Sequence, residues 1–366
     1  MRLLSPAELT PDQLQAWETL AARAAEPNPF FEPGFAVVAA ETLGSADAAL
    51  LVAEGPSGEW TGCMAVKPIG KLGLRLALST WNHPYSFLGT PLVDAAHLDE
   101  YAAELVEALE RRELGRFLVL RDVGEGVVLD AIRAALASAG KAEIAFERSF
   151  ERAALKRRPE GDYTAHLKSS RRSELRRHRR QLQELLGGEV KVDDLEGGTA
   201  ALDEFLRLEG ASWKGGTGTA MACDPQVTAF FRGMGEWFDQ RGRLRMRALK
   251  VGDQTVAMLC SLTAGDTVFG FKSCFDEELR RYSPGIQLQL EDFDAFHEEG
   301  AARMDSCGEP DNTTLNRFWP DRLRLTTLVA ARRGAAARAA RAGLEYYYSP
   351  SGRRLAARLR NRGKKN

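Results

Sequence analysis

The most informative pattern in the chain spans residues 244–300, LRMRALKVGDQTVAMLCSLTAGDTVFGFKSCFDEELRRYSPGIQLQLEDFDAFHEEG. Three strand-like apolar segments come first, and Gly-Asp pairs separate them as in hairpin turns. A Ser-Pro-Gly turn at residues 283–285 then opens a segment with helical spacing that ends at Gly300. We therefore predict three antiparallel strands, at 244–250, 255–263 and 267–275, that lead into a helix at 286–299.

The pattern continues in both directions from this centre. Upstream lie a short alternating segment at 188–194 and two helix patterns, the first capped by Thr199 and the second opened by Asp224 and Pro225. Downstream lie a strand at 302–307, a short helix at 313–319 and a last strand at 322–330. The predicted element order of this half is β-α-α-β-β-β-α-β-α-β.

The N-terminal half repeats this order of elements, although not the residues themselves. We predict a mixed α/β fold of two tandem domains, each a mostly antiparallel mixed sheet flanked by helices. The predicted boundaries are 1–160 for the first domain, 161–187 for a basic connecting helix, 188–332 for the second domain, and 333–366 for a basic, flexible tail. The connecting helix carries six arginines between residues 171 and 180.

Composition excludes several classes of protein. With 44% apolar and 28% charged residues and a net charge of −1, the chain is typical of a globular protein. Its five cysteines form no C-x-x-C pair, which argues against a disulfide framework and a cysteine metal site. No apolar run reaches the length of a membrane span. We expect a cytoplasmic protein without a metal.

Several local stretches carry a family resemblance. The element order resembles that of the GNAT acyltransferase superfamily, and the doubled arrangement around a basic helix resembles its FemAB-like branch. The CelD-type acetyltransferases associated with polysaccharide production are similar in the stretches NPFFEPGF (28–35), WNHPYSFLGTPLVD (81–94), SRRSELRRHRRQL (170–182), EGASWKGGTGTAM (209–221), YSPGIQLQLE (282–291) and NRFWPDRLRL (316–325). The resemblance implies a catalytic second domain that uses acetyl-CoA or another acyl-CoA, and a degenerate first domain that forms one wall of the acceptor cleft.

The resemblance places the pyrophosphate of acyl-CoA on backbone amides at the Ser-Pro-Gly turn. A helix N-terminus exposes unpaired amides and a partial positive charge, and phosphate binds there readily. The usual Q/R-x-x-G-x-G/A signature is reduced here, and Pro284 lacks an amide hydrogen. A plain turn in which Ser283 caps the helix is the alternative. The predicted cofactor-binding residues are Arg280, Arg281, Tyr282, Ser283, Gly285 and Ile286.

Two residues are predicted to act on the reactants. Lys272 lies on a strand between apolar neighbours, so it faces either solvent or a polar cleft, because burying an unpaired charge is costly. Asp305 lies on the next predicted strand. Acyl transfer to an amine needs a base for the acceptor, and Asp305 is predicted to bind or deprotonate it. Cys307 follows it, and no histidine lies nearby in the chain to activate the thiol, so we expect a buried structural cysteine.

The predicted acceptor site has two parts. Trp213 and Lys214 precede a glycine-rich loop, which either closes over a ligand or is a mobile connection with the tryptophan in the core. Trp81, His83 and Tyr85 alternate in the first half and would share one face of a strand. Such a face suits sugar or amine recognition, whereas a half-buried histidine at a domain interface is the alternative.

We expect direct transfer of an acyl group, with acetyl as the first expectation, to a small or saccharide-linked amine or hydroxyl. Two other classes remain open. One is a FemAB-like transferase that uses aminoacyl-tRNA through the connecting helix, although nucleic acid is the less favoured partner. The other is a binding protein that kept the fold without CoA. The tail holds eleven Lys or Arg and one acid within 331–366, which suits contact with an anionic membrane surface.

Overall fold

The computed structural model describes residues 1–44, 47–71, 74–195 and 198–348, with the backbone alone at residues 71, 74, 75 and 213. In the first half the elements are β1 Arg2–Leu4, α1 Pro11–Arg23, α2 Pro33–Thr42, β2 Ala49–Glu54, β3 Trp60–Lys71, β4 Leu74–Thr80, β5 Leu92–Val93, α3 Leu98–Glu110, β6 Phe117–Gly124, α4 Val127–Ser138 and β7 Ala142–Lys156. After the connecting helix, α5 Ser169–Leu186, come β8 Val190–Leu195, α6 Thr199–Ala211, α7 Trp213–Gly216, α8 Pro225–Asp239, β9 Leu244–Val251, β10 Gln254–Ala264, β11 Thr267–Phe275, α9 Pro284–Glu299, β12 Arg303–Asp305, α10 Thr313–Phe318, β13 Asp321–Arg332 and α11 Ala335–Tyr348.

The described strands form a single mixed sheet of thirteen. Their order is β1-β2-β3-β4-β6-β13-β7-β12-β11-β10-β9-β8, and β5 pairs with β3. Within each half the neighbouring strands are antiparallel, except that β4 and β6, and likewise β11 and β12, are parallel. The mixed α/β class and the repeated element order are therefore confirmed.

The two halves exchange their last strands. The strand β7 ends the first half but pairs with β12 of the second, and β13 ends the second half but pairs with β6 of the first. The two exchanged strands also pair with each other from Asp321↔Ala154 to Arg332↔Ala142. The predicted boundary therefore separates two parts of the sequence, but it does not separate two sheets, because strands of both halves pair in one continuous sheet.

Local sequence signals set most element ends. Thr10 and Gln13 form a capping box at the start of α1, and the Asp224 carboxylate caps α8 through the amide of Gln226. Gly300, with φ of +82°, ends α9 in the left-handed conformation. The prediction that Thr199 caps α6 is wrong by one residue, because Gly198 occupies the cap position.

The tail prediction needs a correction as far as Tyr348. Residues 335–348 form α11, which packs on the sheet rather than extending freely. Ala337 is buried, Tyr348 stacks on Phe146, and Arg341 donates hydrogen bonds to carbonyls of β7. These contacts tie the helix to the exchanged strands. The remainder of the predicted tail, 349–366, lies outside the described residues.

Candidate functional site

The strands β11 and β12 diverge and open a slot. They pair in parallel only from Thr267↔Arg303 to Phe269↔Asp305. Beyond Phe269, β11 continues to Phe275 while the chain after β12 turns away through Cys307, whose φ is +50°. One edge of β11 is therefore left without a strand partner along this stretch, and its backbone groups are available to a ligand.

The helix α9 starts at the far end of this slot with two free donors. Ser283 stands at the cap position with φ of +55°, and its hydroxyl makes no capping hydrogen bond, so the alternative of a Ser283 cap is not realised. Among the described residues, nothing accepts a hydrogen bond from the amide of Gly285. The amides of Ile286 and Gln287 both donate to the carbonyl of Ser283 at 3.1 Å. The usable donors are therefore Gly285 and the Ser283 hydroxyl, and the predicted use of Ile286 through its amide has no support.

Two of the predicted cofactor residues point away from the slot. The segment Glu277–Tyr282 forms a 3₁₀ turn that the sequence analysis did not predict. Within it Arg281 donates a hydrogen bond to the hydroxyl of Tyr282 and lies over the tyrosine ring. Tyr282 is buried, and its carbonyl accepts from the buried side chain of Gln287. Both residues thus hold the turn in shape, whereas Arg280 lines the cavity described next.

Two adjoining cavities fill the slot. The outer cavity, about 650 Å³, is lined by Arg171, Arg280 and Arg317 and, at the start of α9, by Ser283 and Gly285. The inner cavity, about 400 Å³, reaches the diverging ends of β11 and β12. The cavities adjoin, because five residues line both, namely Lys214, Ser273, Gln289, Asn312 and Leu315. Sequence reasoning placed Arg171 elsewhere and missed Arg317, because only the fold brings α5 and α10 to the same opening.

Lys214 stands where the cavities meet. Its ammonium lies 2.9 Å from a carboxylate oxygen of Glu209, a residue that is 1% exposed, and 3.4 Å from the carbonyl of Ser273 on β11. The other Glu209 oxygen accepts from the amide of Met221. The predicted mobile connection is thus anchored at its first residues. The side chain of Trp213, also predicted here, lies outside the described part of the chain.

Lys272 faces the inner cavity, as predicted. Its ammonium lies 5.0 Å from the ring centre of Tyr85, a cation–π contact that joins the two halves. Burial lowers the pKa of Lys272, and the nearby charge of Lys214 adds to this effect. The surface-lysine alternative is therefore not realised.

Asp305 is committed to a buried ion pair with Arg152 of β7. The Arg152 side chain donates from Nε to Oδ1 at 2.8 Å and from Nη2 to Oδ2, and both side chains are under 5% exposed. Arg152 also donates to the carbonyl of Phe87, and Oδ1 accepts from the amide of Cys307. With both oxygens occupied, the predicted catalytic role of Asp305 has no geometric support, and a structural role follows.

The cysteine side chains of the inner cavity are thiols rather than thiolates. Burial raises the pKa of Cys307 well above its ordinary value, and burial also raises the pKa of Cys260. Neither has a hydrogen-bonding histidine among the described residues. The geometry therefore offers no activated cysteine nucleophile at this place.

Trp81, His83 and Tyr85 lie in a loop rather than on a strand, because β4 ends at Thr80. They still cluster, with Trp81 and Tyr85 at 4.9 and 6.4 Å from the His83 ring. His83 stacks on Phe35 and meets Phe230 edge-on, and its Nδ1 has no hydrogen-bond partner. Burial lowers the pKa of His83 to about 4, so the ring is neutral. Of the three, Tyr85 reaches the cavity residue Lys272, whereas His83 and Trp81 form the wall behind it.

The equivalent slot of the first half is closed. There β4 and β6 also diverge after a short parallel pairing. The following loop fills the gap, since Gly89 donates to the carbonyl of Asp122 and Thr90 accepts from the amide of Gly124. Thr80 likewise accepts from the amide of Arg121. These hydrogen bonds bridge the two strands at the gap, and the cavity beside them, which is lined in part by Leu88, Thr90 and Gly124, is smaller, at about 280 Å³.

The described residues meet the requirements neither of a metal site nor of a membrane span. No group of three or more His, Cys, Asp or Glu side chains there is arranged to hold a metal ion. None of the described helices is both long enough and apolar enough to cross a membrane.

Comparisons with known proteins identify the fold. Residues 169–313 match the family model described as an acetyltransferase (GNAT) domain. A search of curated proteins finds no significant match. The crystal structure of FemX superposes with a TM-score of 0.56 at 12% identity, covering 91% of this chain and 96% of that one. The C-terminal domain of a putative lysylphosphatidylglycerol synthetase from Agrobacterium fabrum gives 0.53 at 14% identity, covering 95% and 98%. L-PGS from Bacillus licheniformis gives 0.53 at 10% identity, covering 91% and 95%.

Proposed function

Residues 169–313 match a GNAT acetyltransferase domain, and from that premise we propose that the chain moves an acyl group from acyl-CoA to an amine or hydroxyl of a small or saccharide-linked acceptor. The observation that carries the proposal is the open start of α9. The free Gly285 amide and Ser283 hydroxyl lie beside a cavity of about 650 Å³, which adjoins at Lys214 the cavity between the diverging strands. A cavity of this size is in the range of ligand-binding pockets.

The charges of the cavity suit the donor from end to end. Arg171, Arg280 and Arg317 line the outer cavity together with one acid, Glu277, which pairs with Arg280, so positive charge for phosphate groups remains in excess. The diphosphate would accept hydrogen bonds from Ser283 and Gly285, where the helix dipole adds attraction. The amide-containing arm of CoA would lie along the unpaired edge of β11 and carry the thioester into the inner cavity.

The chemistry needs one bond made and one broken. The acceptor nitrogen or oxygen attacks the thioester carbonyl carbon, the C–S bond breaks, and CoA leaves as a thiol after taking up the proton that the acceptor loses. Water in the open cavity relays that proton, because Asp305 is held on both oxygens by Arg152. We propose direct transfer without an acyl-enzyme, because neither cavity thiol has a hydrogen-bonding histidine among the described residues and burial raises the pKa of both.

Thermal unfolding with and without CoA thioesters tests the proposal. A ligand at a hundred times its dissociation constant stabilises the native state by about 2.7 kcal/mol, which for a chain of this length is a rise of roughly 3–4 °C in Tm. Gly285→Val should abolish the rise, because a β-carbon there already lies 3.3 Å from the Phe275 ring and the branched side chain fills the diphosphate slot.

A matched control separates binding from stability. Gly343→Val adds the same side chain to α11, where a β-carbon meets no other atom within 4 Å. This variant should keep the full CoA shift. If acetyl-CoA and longer acyl-CoAs leave the Tm of the natural protein unchanged, the CoA proposal is refuted and a binding protein without CoA is the better description.

A second candidate is aminoacyl transfer from tRNA. Two observations favour it. The chain shares the fold of FemX over 91% of its length, and Arg176, Arg177 and Arg180 project from α5 exposed and without acidic partners among the described residues. This candidate predicts tRNA binding that weakens steeply with salt, and a smaller salt slope when these three arginines are changed to glutamine. Absence of measurable tRNA binding at low salt would eliminate it.

A further inference from the structure

Lys272 is a half-buried cation without an acidic partner. Among the described residues its ammonium forms no hydrogen bond and no ion pair; it contacts the Tyr85 ring, and the charge of Glu209, which is already paired with Lys214, acts on it only from a distance. A buried charge left without a partner is costly, so such groups are normally paired. The position of Lys272 on β11, facing the inner cavity, leaves its ammonium directed at space that a reactant would occupy.

The other charged groups of the inner cavity already have partners or stand apart. Lys214 is paired with the buried carboxylate of Glu209. Asp292 accepts from the guanidinium groups of Arg245 and Arg247, each at 3.2 Å. The last acid lining this cavity, the exposed Glu309, forms no ion pair with Lys272. Of the two lysines that line the inner cavity, Lys272 is thus the one without an ion pair among the described residues.

We propose that the reactant group that enters the inner cavity is anionic, either a carboxylate or a phosphate, and that Lys272 binds it. This inference rests on the proposed function. Two sources carry such a group to this place. It is either a terminal carboxylate on the acyl group of the donor, or an acidic group on the acceptor. In both cases the anion supplies the charge that Lys272 lacks, and the Tyr85 ring holds the ammonium in place from the other side.

The donor source is tested with a matched pair of thioesters. Succinyl-CoA and butyryl-CoA have acyl chains of the same length and differ in one terminal carboxylate. Calorimetric titration should show succinyl-CoA binding about tenfold more tightly, the size expected of a hydrogen bond between charged groups. Lys272→Met should remove the preference and leave butyryl-CoA binding unchanged, and Lys272→Arg should keep most of it.

The acceptor source is tested with the site filled by CoA. Titration of the CoA-bound protein with inorganic phosphate and with acetate should show binding that Lys272→Met weakens about tenfold. Lys191→Met is the control, because it removes the same charge from an exposed residue of β8, far along the sheet order from the cavity. There Lys191 is paired with Glu189.

The outcomes separate this inference from the proposed function. A preference in the thioester pair assigns the anion to the donor, and anion binding to the CoA-bound protein assigns it to the acceptor. If CoA binds but neither measurement depends on Lys272, the anion inference is overturned while the transferase proposal stands. If CoA itself does not bind, the failure lies in the proposed function.

Discussion

Replacing Asp305 with asparagine tests whether this residue is structural or catalytic. Asp305→Asn keeps the shape of the side chain but leaves the Arg152 guanidinium, 4% exposed, without its counter-charge. Breaking a buried ion pair from one side costs about 3–5 kcal/mol. Two hydrogen bonds survive the change, from Arg152 to the Phe87 carbonyl and from the Cys307 amide to the retained side-chain oxygen, so we expect the lower end of this range.

Unfolding in urea measures the expected loss as a free energy. Thermal unfolding measures it as a fall in Tm, and a cost of about 3 kcal/mol lowers Tm by about 4 °C in a chain of this length. Arg152→Met should cost at least as much, because it leaves a carboxylate buried. The double variant Arg152→Met/Asp305→Leu should cost far less than the sum of the two, since it removes both charges and fills the space with apolar groups.

The same variants decide the catalytic question. If Asp305 is structural, Asp305→Asn loses stability, keeps CoA affinity and shows an unchanged shape of the pH–rate profile. An unchanged urea midpoint together with loss of turnover and a shifted profile would restore the role of base to Asp305 and refute the reasoning from the ion pair.

Two further predictions concern the rest of the molecule. His83 has a folded pKa of about 4 against 6.5 for its ordinary value, so the unfolded chain takes up the proton first and stability falls as the pH drops from 6.5 to 4. This part of the fall is roughly 3 kcal/mol, and His83→Phe should remove it in urea unfolding measured at pH 7, 5.5 and 4.5; an equal fall in both proteins would contradict the assignment. Tyr348→Ala should cost about 1–2 kcal/mol, because the ring stacks on Phe146 and lies 4.5 Å from the Arg148 guanidinium. Faster tryptic cleavage after Arg333 should accompany the loss, and an unchanged cleavage rate would show that α11 does not depend on this contact.

The features that the sequence predicted are those set by residues close together in the chain. The three strands of the second half and the start of α9 follow from glycine turns, a Ser-Pro-Gly turn and apolar spacing, all local signals. Lys272 was found because a charge stands out in an alternating apolar strand. The sequence left open whether Lys272 faces solvent or a cleft, and the structure places it in the cavity that opens where β11 loses its parallel partner beyond Phe269.

The missed features depend on contacts between distant residues. Nothing in the segment around Arg152 indicates that its partner is Asp305, because the two meet only through the exchange of β7. Arg317 lines the outer cavity because it lies on α10, a short helix whose place in the fold is set by β12 and β13 on either side of it.

The exchanged strands also constrain how the protein is made. As the chain leaves the ribosome, β6 is complete long before β13, its neighbour in the finished sheet, has been synthesised. Until then the first half presents a bare edge, and pairing of such distant segments is slow because a long loop must close. Neither half can be cut out as an autonomous module, since each would lack a strand that the other encodes. We therefore expect truncated versions of this chain to require chaperones or to aggregate during synthesis, whatever chemistry their site retains.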